Sequence, residues 1–383
     1  MKLQTPLRVA SATALTLGLG LFALANSAGA SSPRWQWQPP RQALFVETDA
    51  TSGNSVLSYQ RASDGTISYV ASFPTGGNGA TAVSATADPL ASQDGLTLAN
   101  NGNNLIAVNA GSDTVTVFAV DGTELTPIQQ ISSGGLFPDS VATSGRLVAV
   151  LNSGGAGSVA EFTWFGNRLV PLPGQTRSLG LSNTTPPDFH HGVGQVGYTP
   201  NGQHLVITGK LSDNSYLVYS VANNGSLSTS PVITPALNAL PFSFTFDSAG
   251  NLVATEASNS SVDTYTVNAN GSLTNLGSAP DGAAALCWIS GANGYFYGSN
   301  AGSGTISSFT ENNAGVPQLV NATAATAHAG TTDSTVSPDG KFLYVESGGA
   351  GAIDAFAIGA SGSLTQIETI FNIPVGSEGI AVS

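Results

Sequence analysis

The chain is poor in charge. Only 9% of its 383 residues are Asp, Glu, Lys or Arg, and 10 basic residues face 23 acidic ones. The formal net charge of −13 repels nucleic-acid phosphates and anionic lipid headgroups, so neither is expected as a partner. So few basic groups also leave little to hold a heavily phosphorylated ligand. A single cysteine, Cys287, excludes a disulfide framework, a Cys-based zinc site and a lipid-modified cysteine near the chain start. Four histidines are too few for an imidazole-rich copper centre. No glycine-rich loop leads from a strand into a helix, so the 46 glycines report turns. Apolar residues, at 41%, are nevertheless too many for a disordered chain.

The one long apolar run stands at the beginning. Lys2 and Arg8 precede VASATALTLGLGLFALA, and Ala28-Gly29-Ala30 places small residues before Ser31. This is the form of a secretory signal peptide over 1–30, cleaved after Ala30, and predicts a secreted or periplasmic protein with no membrane insertion afterwards. Without Lys2 and Arg8, eight basic residues remain against 23 acidic, a charge of −15. Residues 31–42, with Trp35 and Trp37, read as a linker, and a monomer is expected. So few charges also predict a weak dependence of folding on pH.

Residues 43–383 repeat. Seven short apolar segments recur about 50 residues apart: LFVE (44–47), LIAVN (105–109), LVAVLN (147–152), LVITGK (205–210), LVATE (252–256), YFYGSN (295–300) and FLYVE (342–346). Each is followed by an alternating segment such as TVTVFAV (114–120), then a turn rich in Asp-Gly, Asn-Gly or Ser-Gly steps. A further strand precedes each apolar one across a turn such as Pro338-Asp339-Gly340. Four antiparallel strands repeated seven times predict an all-β, seven-bladed β-propeller. The first unit lacks its inner strand and the chain ends in GIAVS (379–383), so the C-terminal strand should complete blade one and close the ring. Longer connections around 77–93 and 171–192 read as insertions over one face.

The units SPDGKFLYVESGGAGAIDAFAIGASGSLTQI (337–367) and TPNGQHLVITGKLSDNSYLVYSVANNGSLS (199–228) resemble the YVTN-type repeat of the lactonase family. That family includes bacterial 6-phosphogluconolactonase and fungal carboxymuconate-cycloisomerase propellers. The resemblance implies a seven-bladed ring over 43–383 and a small-molecule lactone or sugar-like ligand. Its phosphogluconolactonase-like members carry a Pro-His-x-His stretch running into the fourth inner strand. The position matching the second of those histidines is Gly194 here, with His190 and His191 a few residues upstream.

Propeller ligands sit at the funnel where inner strands begin. Aligning the units puts Asp94, Asp139, Gln195, Ser243, Leu286 or Cys287, Asp333 and Glu378 there. The carboxylates Asp94, Asp139, Asp333 and Glu378 could share a cation such as Ca²⁺, or each could bond backbone N–H groups of its own loop. One layer away, Lys210 and Glu256 occupy equivalent places on adjacent blades, which suggests an ion pair. Opening a lactone requires a base for the attacking water and a donor for the oxyanion. His190 or His191 with Glu256 could supply the first and Lys210 the second, while Gln195, Trp288, Asn300 and Asp333 would contact the substrate. Trp288 could instead pack between blades. Two readings follow: an exported hydrolase of an unphosphorylated lactone or related cyclic ester, or a non-catalytic ligand- or protein-binding propeller of the cell envelope whose acidic funnel could take Ca²⁺.

Overall fold

The computed structural model describes residues 42–211, 213–238 and 240–383. The leader, its cleavage site, Trp35 and Trp37 lie outside the described residues. Seven four-stranded antiparallel sheets follow one another round an axis, and no helix occurs among the described residues.

The central strands of each blade are buried on both faces. Asn104–Asn109 and Phe342–Ser347, for example, are buried at every position. This is why they read as continuous apolar runs instead of alternating ones: each blade is sandwiched between two neighbours. The core accordingly lies between blades. Blades four and five meet through Val206, Tyr216, Phe244, Leu252 and Tyr265. Each such side chain contributes about 1.5–3 kcal/mol on burial.

The ring closes as the repeats predict. Ile380–Val382 pairs antiparallel with Ala43–Glu47, with Leu44 opposite Val382 and Val46 opposite Ile380. Ser383 secures the join, because its N–H donates to Ala43 O at 2.9 Å and its own carbonyl accepts from Arg61 Nη2 at 3.2 Å.

Two local features shape the axis. The inner strands of blades three to seven each carry a bulge near the start, at Asp139, Gly194–Gln195, Phe242–Ser243, Cys287 and Thr332–Asp333. A bulge leaves its extra residue unpaired and re-aims its side chain, here at the level where the inner strands begin. The insertion expected at 171–192 is shorter, because Arg168–Ser178 is the outer strand of blade three; the connection at 179–192 and the insertion at 77–93 lie over that same mouth and touch each other, through Val83 N–H to Pro187 O (2.8 Å) and Phe189 N–H to Val83 O (3.0 Å).

Candidate functional site

The funnel is not open: residues 88–94 of the first insertion run down into it and plug the axis. Leu90, Ala91 and Ser92 are each 1% exposed. Several of the polar groups near the inner-strand starts are spent on holding this segment. Glu378 accepts Leu90 N–H at 2.8 Å on Oε2 and Ser92 N–H at 3.1 Å on Oε1. Trp288 Nε1 donates to Ser92 O at 2.6 Å, and Lys210 Nζ to Ala91 O at 2.7 Å. Ser92 Oγ donates to Asp139 O at 2.6 Å. The Gln93 amide pairs with both backbone groups of Ile289, at 3.0 and 3.1 Å. Asp94 N–H donates to Asp333 Oδ2 at 3.3 Å, and Gln195 Nε2 donates to Asp94 Oδ2 at 2.7 Å.

Several sequence-based assignments change as a result. Lys210 and Glu256 form no ion pair. Glu256 is turned toward the junction of blades four and five, where Oε1 accepts from Tyr265 OH (2.7 Å), Tyr216 OH (3.1 Å) and Leu237 N–H (3.2 Å), and Oε2 from Asn238 N–H. Fully buried and held by four donors, Glu256 is not placed to take a proton from water. Asn300 is buried and binds Ser307 Oγ at 2.8 Å within blade six, away from the axis. Trp288 is 1% exposed, edge-on to Phe242, with its indole N–H committed to the plug. Asp94, Asp139, Asp333 and Glu378 do not converge on a point, and no group of three acidic, His or Cys side chains among the described residues could hold a metal ion. Asp139 instead accepts from Ser153 Oγ, and Asp333 Oδ1 from Ser334 N–H at 2.8 Å. The set does not fit Ca²⁺.

The histidines stand on the rim. His191 Nδ1 lies 2.7 Å from Asp188 Oδ1, with its side chain 53% exposed. His190 is exposed and packs its ring edge-on against Phe189. Gly194 could not be a histidine in this packing: a Cβ there would lie 2.1 Å from Phe242 O. The Thr208 hydroxyl crowds the same position at 2.8 Å, while the Gly194 carbonyl accepts Gln93 N–H from the plug at 2.9 Å. His204 is buried at the head of its strand, and His328 Nδ1 contacts Asp354 Oδ1 at 2.8 Å.

Around the plug the electrostatics are those of a dry, acidic interior. Lys210 is 1% exposed, with its ammonium 5.3 Å from the ring centres of both Phe189 and Phe242. Burial holds its pKa below the usual lysine value, although Asp88, Asp139 and Glu378 pull the other way. Burial likewise raises the carboxyls, Asp94 to about 6 and Asp139 to about 8. Glu378 rises well above its ordinary value, by burial and then by the charge of Asp88. Asp88 rises too, through burial, while its contact with the Glu378 carboxyl and the Lys210 charge hold it down. Burial pushes the Cys287 thiol up, leaving it neutral.

An open cavity of about 420 Å³ remains at the mouth where the inner strands begin. Its walls include Phe189, Ala285, Cys287, Trp288, Ala329 and several glycines, and Asp88 and Thr332 supply polar groups. Asp88 is 4% exposed; Oδ1 accepts Ala91 N–H at 2.5 Å, and no N–H or neutral O–H donor among the described residues reaches Oδ2. The Thr332 hydroxyl is buried and also without a partner among them. Sequence reasoning passed over both residues. Asp88 lies in an insertion outside the repeat register, so aligning the units could not find it; the available signal was an acid before Pro89 in a chain with few charges.

A model of the family described as "Lactonase, 7-bladed beta-propeller" matches residues 35–162. No curated protein matches the chain. A putative 6-phosphogluconolactonase from Bacteroides fragilis superimposes with a TM-score of 0.71 at 17% identity, covering 91% of this chain and 99% of its own. A periplasmic gluconolactonase from Pseudomonas aeruginosa gives 0.70 at 21% identity, covering 89% and 98%. A protein from Lactobacillus plantarum gives 0.70 at 17%, covering 90% and 99%. At these identities the shared feature is the ring itself. Together with the family match, that ring bears out the resemblance carried by the repeats, to the lactonase family of seven-bladed β-propellers and its 6-phosphogluconolactonase-like members.

Proposed function

We propose that the chain is an exported hydrolase of an unphosphorylated lactone or related cyclic ester, acting in the cavity beside the plug. The observation that carries this reading is the meeting of an open pocket with two buried, unsatisfied polar groups, Asp88 Oδ2 and the Thr332 hydroxyl. Unsatisfied buried groups of this kind are costly and concentrate at functional sites. Asp88 takes a proton from water as its oxygen bonds to the lactone carbonyl carbon, and Thr332 donates to the developing oxyanion. Collapse breaks the bond to the ring oxygen, and Asp88 returns the proton to that leaving alkoxide. The product is a hydroxy acid, which ionises at neutral pH.

Glu378 and Lys210 act as positioning residues. Glu378 orients Asp88, and the Lys210 charge favours its ionised form against the effect of burial. His190 shapes the rim through Phe189, and His191 through Asp188. No Lys or Arg lines the cavity, and the Lys210 ammonium is tied to Ala91 O, so a phosphate would find no partner. Export is supported by the apolar leader over 1–30 and by the periplasmic relative. No helix among the described residues is long and apolar enough to cross a membrane.

The plug favours a second reading, a non-catalytic binding propeller, because a ring whose axis is filled by its own chain keeps its shape without a ligand. Hydrolysis of a lactone panel followed by proton release separates the two. Turnover lost in Asp88→Asn and retained in the His190→Ala/His191→Ala double variant supports the hydrolase with Asp88 as base. Loss in the double variant alone moves the base to the rim, and no turnover on any lactone leaves the binding propeller.

A further inference from the structure

The cavity has an unusual distribution of polarity for a sugar site. Its polar groups, Thr86, Asp88 and Thr332, come from two short segments, and most of the remaining wall is Phe189, alanine and glycine. The indole N–H of Trp288, the obvious further donor, is already bonded to Ser92 O. Three glycines, Gly302, Gly330 and Gly349, keep the wall smooth and close-packed; a Cβ on Gly349 would lie 2.8 Å from Ala329 O.

We infer that the substrate of this cavity is a lactone bearing an aliphatic chain, with its ring carbonyl at Asp88 and Thr332 and its chain against the alanine and glycine wall. The inference rests on the lactonase reading of the same site. A polyhydroxylated sugar lactone carries hydroxyls over most of its ring, and each one buried against Ala285, Ala301 or Ala329 would lose its water without gaining a partner. Each such loss weakens binding by roughly tenfold. An aliphatic chain gains instead, by roughly fourfold per methylene removed from water. The volume, about 420 Å³, lies within the range of small-molecule sites. The opposite end of the axis shows what a hydroxyl-rich wall looks like in this fold. There Thr97, Thr143, Thr245, Ser290, Ser334 and Thr335 line a cavity of about 370 Å³.

The test compares kcat/KM of the purified full chain on δ-valerolactone, δ-octalactone, glucono-δ-lactone and its 6-phosphate, with spontaneous opening subtracted. Thermal-shift binding of δ-octanolactam, which resists hydrolysis, runs alongside. We expect δ-octalactone to exceed δ-valerolactone by at least tenfold and both sugar lactones by at least a hundredfold. Ala301→Leu, which extends a half-buried wall residue into the cavity, should reduce the preference for δ-octalactone over δ-valerolactone by at least threefold. Faster turnover of either sugar lactone overturns the inference while sparing the lactonase reading. Lactam binding with no hydrolysis of any lactone sinks the lactonase reading and keeps the ligand class. Neither binding nor hydrolysis overturns both.

Discussion

The two ends of the propeller axis are built from the same seven inner strands and differ in nearly every chemical respect. At the end where those strands begin, a mostly apolar cavity meets Asp88, with Glu378 and Lys210 behind it. At the other end, Ser and Thr hydroxyls surround Asp94 and Gln195, which hydrogen-bond each other at 2.7 Å. Residues 88–94 form the partition, contributing Asp88 to one side and Gln93 and Asp94 to the other. The lesson is that repetition sets the ring and a single non-repeating insertion decides where the chemistry stands. A strand start repeated seven times would make a symmetric funnel; the plug converts it into two unlike sites.

Substitution on either side of the partition tests that division most strongly. Asp88→Asn should lower turnover by about 10²–10⁴-fold, the contribution of a positioned general base. Asp94→Asn, six residues on but facing the other end, should leave turnover within about threefold in the same assay. Equal losses in both would show that the two ends are one site.

The next effect concerns the cation behind the partition. Lys210→Met removes the bond to Ala91 O and the positive charge that favours ionised Asp88 and Asp139. Denaturant unfolding should show a loss of about 1.5–3 kcal/mol, as for a buried hydrogen bond to a charged group. The acidic limb of the rate profile should also move to higher pH, because Asp88 would then hold its proton longer. A purely structural role would change stability and leave the limb in place.

A third expectation concerns pH and replaces the weak dependence read from the sparse charges. Asp94 rises to about 6, and Asp139 and Glu161 to about 8, each chiefly through burial. An acid whose folded pKa lies above its unfolded value near 4 binds its proton more tightly in the native state. Its contribution is therefore fully present below about pH 4 and is lost as pH climbs through the folded pKa. Lys210, held below its usual value, acts in the opposite sense, with stability rising as pH climbs from that lowered value toward 10.5, but it is one group against many. Melting temperature should be higher at pH 5 than at pH 8, by roughly 5 °C. A flat or inverted profile would mean that these carboxyls are solvated. The smallest effect belongs to Asp94→Asn, which should flatten the part of this slope between about pH 4 and 6.

Much of this was legible before any coordinates. The seven apolar segments fell on strands such as Asn104–Asn109, Leu147–Asn152 and Tyr295–Asn300, and GIAVS closed blade one. Aligning units also brought Asp139, Gln195, Cys287, Asp333 and Glu378 to one level, where bulges indeed turn several of them toward the axis. The roles of those residues were not legible. Glu256 and Lys210 are equivalent in register, yet one side chain meets two tyrosines of its own neighbourhood and the other a loop from between blades one and two. Register places a residue on a strand; what its side chain meets depends on segments more than a hundred residues away, as with Lys210 and Ala91.

The sequence by itself determined the ring, its blade number and its closure, because period, turn chemistry and apolar runs are local properties that every repeat restates. Only the tertiary structure decided that the funnel is filled, that its acids bond neighbouring backbone and side-chain groups, and that Asp88 lines the open cavity. Those outcomes depend on where one irregular segment comes to rest, and an irregular segment carries no period from which its partners could be read.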